Sequence, residues 1–235
     1  MPVINVRGIK SGQLKLTPDL MVGIFLGKIN MWNDPHIQHR NPGLKLPNKK
    51  INVVHRADGS GTTAIFTTYM AKVSDEWATK VGKGKAVKWP VGIGGKGNEG
   101  VAGYVKRLKN SIGYVEFAYA KTNKLTAVQI QNKSGKFVDP SFDSFKEAAS
   151  FAEWNADQGF YLWLVDAPGE KSWPIAGASF ILLAKEKGDV NKRVTTFFDW
   201  TFKNGDKTAE KLTYVPLPIT LKDKVRAYWK QNGIH

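Results

Sequence analysis

Cysteine is absent from the 235 residues, which excludes disulfide cross-links, thiolate metal sites and a cysteine nucleophile. Histidine is almost absent too, present only as His36, His39, His55 and His235. His36 and His39 lie three apart without an evident third ligand, so no metal-binding pattern forms and surface or capping roles are expected. No apolar run approaches the roughly 20 residues needed to cross a bilayer. Residues 1–8 are too short and too early broken by proline and glycine to read as a signal peptide. Internal repeats and low-complexity tracts are missing as well. Negative charge is scarce: 20 Asp and Glu stand against 35 Lys and Arg, a formal net charge of +15.

That imbalance favours anionic partners, whether nucleic acid, an acidic membrane surface or a small oxyanion. The basic residues are spread in short groups, such as Lys83/Lys85/Lys88, Lys106/Arg107/Lys109 and Lys192/Arg193. The same pattern describes a solvated lysine-rich surface, so charge alone selects no partner. The 42% hydrophobic and 11% aromatic content is that of a folded globule and excludes general disorder. The length suits one large domain or two compact lobes.

Along the chain, extended and helical patterns alternate. Residues 3–6 read as a strand. Thr17-Pro18-Asp19 then carries a capping hydroxyl, a proline suited to the first helical position and an acid that favours the positive helix end. Leu20, Ile24, Phe25 and Ile29 follow at helical spacing, and Asn33-Asp34-Pro35 starts a second short helix that Asn41-Pro42-Gly43 stops. Residues 51–55 are predicted as a strand, about 64–73 as a helix, 101–108 as a helix and 112–117 as a strand. Residues 118–122 read as a helical turn or a continuation of that strand. A helix at 144–154, a turn at 166–169 and a buried strand at 179–183 follow. Two last helices, 190–201 and 218–231, carry Phe197, Phe198, Trp200, Tyr228 and Trp229 as core residues. The alternation argues for α/β layers.

The segment between the strand at 51–55 and the next helix carries the most chemistry: Arg56-Ala57-Asp58-Gly59-Ser60-Gly61-Thr62-Thr63. A helix N-terminus has unsatisfied N–H groups and a partial positive charge, so it favours an anion. Gly59 and Gly61 let the backbone approach a ligand closely and are free to take left-handed conformations. Ser60, Thr62 and Thr63 add hydroxyl donors, and Arg56 offers a planar fork for two parallel bonds to one oxyanion. Asp58 is placed to pair with Arg56 and fix that fork. A plain capped helix with an incidental Arg56–Asp58 ion pair has the same composition, and both readings stand at this point. A hydrolase elbow is lacking, since Gly-x-Ser-x-Gly is incomplete here and no histidine follows until His235. The glycine-rich stretch 92–100 is not a Walker loop, having no Gly-Lys-Ser/Thr, and reads as a tightly packed helix-opening turn.

Taken together, these residues resemble a known family. Arg56-Ala57-Asp58-Gly59-Ser60-Gly61-Thr62 is similar to the phosphate loop of the periplasmic phosphate-binding proteins (PstS type) that feed phosphate ABC transporters. The resemblance extends to Leu26-Gly27-Lys28-Ile29 with Trp32, and to Asn41-Pro42-Gly43-Leu44-Lys45-Leu46-Pro47. It continues through Trp89-Pro90, Gly94-Gly95-Lys96-Gly97-Asn98, Ile112-Gly113-Tyr114-Val115-Glu116 and Ala118-Tyr119-Ala120. Trp173-Pro174-Ile175 and Phe197-Phe198-Asp199-Trp200 complete it.

The resemblance implies a type II periplasmic-binding-protein fold, two α/β lobes with a hinge and phosphate in the cleft between them. It implies Arg56, Ser60, Gly61 and Thr62 as phosphate contacts and Asp58 as the residue that orients Arg56. It further implies no catalysis, no cofactor and no metal. The implied setting is the periplasm, with inorganic phosphate and an ABC permease as partners, no nucleic acid, and a monomer. Met1 falls where the second lobe of the family begins. Residues 1–167 are therefore expected to form that lobe, and 168–235 the return into a first lobe that is incomplete here.

Charge-assisted hydrogen bonds contribute about 1.5–3 kcal/mol each, whereas association costs about 4–15 kcal/mol. Contacts from one lobe are accordingly expected to hold phosphate only at about millimolar strength. The alternatives carried forward are a phosphate-ester hydrolase using Ser60, a basic nucleic-acid-binding protein, and a truncated product without independent activity.

Overall fold

The computed structural model describes residues 1–184 and 186–234. Its centre is a five-stranded mixed sheet formed by β1 (Pro2–Asn5), β3 (Asn52–Arg56), β4 (Ile93–Gly95), β5 (Ser111–Tyr114) and β6 (Thr126–Ala127). The strand order is β4-β3-β5-β1-β6. β3 runs parallel to both β4 and β5, while β1 pairs antiparallel with β5 and β6. A second, three-stranded sheet joins β2 (Lys15–Leu16), β7 (Gln129–Gln131) and β8 (Phe137–Val138) in the order β2-β7-β8.

Local chemistry places the first helices where the sequence puts them. Helix α1 (Pro18–Phe25) begins with Thr17 Oγ1 accepting from the Leu20 N–H, and α2 (Pro35–Arg40) with Asp34 accepting from the His36 N–H. Each has proline at its first position, where a missing N–H costs nothing. Helices α3 (Gly61–Val73) and α4 (Asp75–Lys80) follow β3, and α5 (Gly97–Arg107) follows β4. After β5 the chain turns at once into α6 (Phe117–Thr122), so the strand is shorter than expected and residues 118–122 are helical. α7 (Phe142–Ser150) carries a Ser141–Ser144 capping box.

The core is rich in large aromatic residues. Trp32, Trp77, Trp173, Tyr69, Tyr114, Phe25 and Phe66 are all fully buried. The three tryptophan N–H groups donate to the carbonyls of Asn110, Gly82 and Ile175, so these indoles bury their area without stranding a donor. Beneath the end of β3 the rings of Phe66 and Tyr114 stack at 4.3 Å with 5° between planes, and Trp89 lies 5.7 Å from Tyr114.

Helices α8 (Gly188–Asn204), α9 (Asp206–Lys211) and α10 (Ile219–Gln231) pack on one another instead of on the large sheet. The amine of Lys222, only 4% exposed, holds all three: it donates to both Asp206 carboxylate oxygens at 2.6 and 2.7 Å and to the Phe202 carbonyl. Phe202 and Trp229 stack at 5.7 Å.

Two expectations fail in this region. Residues 179–183 form no strand, and Phe180, Ile181 and Leu182 are 38%, 55% and 92% exposed. Phe197 and Trp200, expected in the core, are each 58% exposed. Their apolarity is real, but no described element lies against them. Phe198, Tyr228 and Trp229 are half-buried.

Candidate anion-binding site

β3 ends at Arg56, and α3 starts at Gly61, three residues earlier than the sequence suggests. Gly61, Thr62 and Thr63 are therefore the first turn of the helix itself, not a loop before it. Ser60 is the N-cap, its Oγ accepting from the Thr63 N–H at 3.1 Å. The next amide, Ala64 N–H, donates to the Ser60 carbonyl. The amides of Gly61 and Thr62 have no acceptor among the described residues. They point along the positive end of a 13-residue helix. Because Ser60 Oγ acts as acceptor to Thr63, its own hydrogen stays available for donation.

Other amides of the segment are committed. Ser60 N–H donates to the Lys85 carbonyl at 2.8 Å, and Ala57 N–H to the Gly95 carbonyl at 3.0 Å. The first bond fastens the 81–91 loop beside the site, helped by Thr67, whose hydroxyl bonds both the N–H and the carbonyl of Gly84. Neither Gly59 nor Gly61 has the positive φ that the sequence permitted. A Cβ at either position meets no protein atom within 4 Å. The space around both positions is open, and neither glycine serves a left-handed turn.

The expected fork forms. Arg56 Nε donates to Asp58 Oδ1 at 2.8 Å and Nη2 to Oδ2 at 2.6 Å. The arginine side chain is 9% exposed and the aspartate 34%. Nη1, with both its hydrogens, and one hydrogen of Nη2 remain without an acceptor among the described residues. Asp58 Oδ1 also accepts the Gly97 N–H at 3.0 Å. Gly97 has φ +70°, a left-handed conformation that side chains disfavour, and it opens α5. Gly95 just before it lies so close to α5 that a Cβ would come within 2.7 Å of the Val101 nitrogen.

The 92–100 stretch is thus more than a helix-opening turn. Across 39 residues of chain it delivers the donor that fixes Asp58, a link no local pattern reveals. Glu99, from the same turn, accepts from the Tyr119 hydroxyl at 2.8 Å and feels the Arg56 charge.

Electrostatics keep this fork assembled. The hydrogen bonds from Arg56 and Gly97 hold the Asp58 carboxyl far below the usual aspartate range, and the same bond raises the Arg56 pKa. A depressed carboxyl stabilises the folded form fully above its unfolded value. It loses that contribution only as pH falls through the lower folded value. The pairing is therefore expected to persist through about pH 4, where free aspartate is half protonated. The Gly97 amide resonance should hold its position between neutral pH and that point. A shift titrating near the ordinary aspartate value contradicts the pairing.

Neither His55 nor any carboxylate hydrogen-bonds Ser60 Oγ among the described residues. The His55 ring instead contacts the Arg56 carbonyl and stacks on Trp89 at 4.8 Å. Among the described residues the side chain of Ser60 is engaged as the helix cap alone. Arg107 is exposed at the C-terminal end of α5, where its Nε donates to the Gly103 carbonyl.

Comparison with known proteins identifies the fold and the family. A PBP superfamily domain matches residues 3–204. The phosphate-binding protein PstS of Pasteurella multocida is 54% identical over 232 residues, covering 98% of this chain and 67% of that protein. That of Haemophilus influenzae is 52% identical, covering 98% and 70%. The chain thus spans about two thirds of the length of these relatives. Among solved structures, a high-affinity periplasmic phosphate-binding protein (PfluDING) with phosphate bound superposes with a TM-score of 0.67. It shares 21% identity over 96% of this chain and 68% of that one, a likeness of fold.

Proposed function

The chain belongs to the PstS phosphate-binding proteins of the PBP superfamily, and from that we propose that it captures inorganic phosphate on the Arg56–Asp58 fork and the first turn of α3. The single observation that carries this reading is that donors without acceptors among the described residues share one short segment. The Arg56 guanidinium, oriented by Asp58, the Gly61 and Thr62 amides and the Ser60 hydroxyl all lie on the one short segment from the end of β3 into α3. Such a set suits a tetrahedral oxyanion. The Thr62 hydroxyl adds a further donor.

Delivery to an ABC permease, the periplasm as the place of work and a binding role without catalysis follow from the family and complete the proposal. Residues 1–167 are read as one α/β lobe and 168–235 as the return into the other. In support of that division, a cavity of about 350 Å³ is lined from one side by Thr62, Ile65 and Glu116 and from the other by Ala178, Thr213 and Tyr214. The Lys146–Glu210 ion pair at 2.9 Å also joins the two parts. The donors named here all come from residues 56–62, and affinity at about the millimolar level is the expectation for such a set alone.

The orienting role of Asp58 is tested with inorganic phosphate followed at the Gly61 and Thr62 amide resonances. Asp58→Asn keeps the shape but offers one acceptor in place of two ionised ones. It should weaken phosphate about tenfold or more, the scale of one charge-assisted bond. Unchanged affinity removes the orienting role. Absence of any phosphate-dependent shift in the unaltered chain removes the site.

A further inference from the structure

Arg56 is the last residue of β3, and the ladder beside it runs out. β5 pairs with β3 through Asn52↔Ser111, Val53↔Ile112 and Val54↔Gly113. β5 then ends at Tyr114, and the next amide, Val115 N–H, turns to the carbonyl of Met1. On the β5 side the Arg56 N–H consequently meets no strand carbonyl. It donates to the Tyr114 phenol oxygen at 3.2 Å.

The same phenol lies 2.7 Å from Thr63 Oγ1, in the first turn of α3. The arginine amide is necessarily a donor, so the phenol accepts there, while in the bond to Thr63 either hydroxyl can be the donor. One buried hydroxyl thus joins the end of the strand to the start of the helix, the two places from which the anion donors come.

We propose that the Tyr114 hydroxyl is a positioning group for anion capture, holding the Arg56 backbone and the first turn of α3 at the separation that lets guanidinium and amides meet one ligand. This rests on the reading of that segment as the phosphate site, and adds to it a residue 58 positions further along the chain.

The ring itself is immobilised. Tyr114 is fully buried and is stacked on Phe66 and Trp89, with Phe25 at 6.3 Å. The polar tip therefore has a fixed position from which to act. Burial pushes the phenol up to about 12, so it stays protonated and keeps its donor hydrogen at any ordinary pH. Tyr114 and Thr62 also line the same cavity of about 350 Å³.

Tyr114→Phe keeps the stacked ring and deletes only the hydroxyl. Titration of the full chain with inorganic phosphate, read at the Gly61 and Thr62 amides, should give affinity about tenfold weaker. Thr63→Val removes one of the two bonds and should weaken phosphate by a smaller factor, about threefold. The two changes break a shared link, so the double variant should bind no more weakly than Tyr114→Phe alone.

A role confined to packing would lower the unfolding midpoint and leave the dissociation constant of the folded protein unchanged. That result, or additive losses in the double variant, overturns the inference while leaving the phosphate site intact. If Tyr114→Phe does not fold, unchanged affinity in Thr63→Val overturns it instead. If the unaltered chain shows no phosphate response at either amide, the site reading fails and this inference with it.

Discussion

Replacing Arg56 with alanine should abolish saturable phosphate binding, while Arg107→Ala should leave it within about twofold. Both variants lose one positive charge from a chain that carries +15. A site built on bulk charge would respond to them alike. The structure separates them by geometry: Arg56 is 9% exposed and clamped by two bonds from Asp58, while Arg107 stands exposed on α5. Two charge-assisted bonds at about 1.5–3 kcal/mol each amount to about a hundredfold or more in affinity. An exposed charge in salt contributes far less, since screening acts within about 8–10 Å. Phosphate titration of both variants at physiological ionic strength makes the comparison. Equal losses would show that general positive potential, not the fork, attracts the anion.

Gly61→Ala should produce the second large effect, and in the opposite sense for stability. No protein atom lies within 4 Å of a Cβ at Gly61, and its φ is not positive, so the folded chain accepts the methyl without strain. Alanine is also the better helix former, by up to about 1 kcal/mol relative to glycine. The unfolding midpoint should therefore stay level or rise. Phosphate binding should fall about tenfold or more, because the methyl stands in the space through which an oxyanion approaches the Gly61 and Thr62 amides. Urea unfolding and phosphate titration of the same sample give both numbers. Retained affinity would mean that the small residue at 61 serves something other than close approach.

What was legible in the sequence is what local chemistry decides. Thr17-Pro18, Asp34-Pro35 and Ser60 cap their helices as their residue types require. The Arg56–Asp58 fork could be read because its partners are two residues apart. α3 starts at Gly61, ahead of the Ala64 that its composition suggests, because glycine and threonine are poor helix formers in general. In a first turn they are tolerated, and there they leave amides uncovered.

The contacts that hold the site came from farther away. Gly97 reaches Asp58 and Tyr114 reaches Arg56 through the parallel pairing of β4, β3 and β5, and the Lys85 carbonyl reaches Ser60 from the 81–91 loop. The run at 179–183 and the pair Phe197 and Trp200 show the complementary limit. Apolarity says that a residue favours burial, but not which segment covers it, and here those side chains stand exposed. The relatives named above are about half as long again as the part matched by this chain, so the same residues meet a different environment wherever further elements lie against them.

The most direct test of the whole account is a structure of this chain determined in the presence of inorganic phosphate at a concentration above its dissociation constant. A tetrahedral anion should sit within about 3 Å of the Gly61 and Thr62 nitrogens, the Ser60 hydroxyl and the free edge of the Arg56 guanidinium, with Asp58 still bonded to Arg56 and Gly97. Phosphate found only on exposed lysines, with those donors turned away from it, would contradict the central claim.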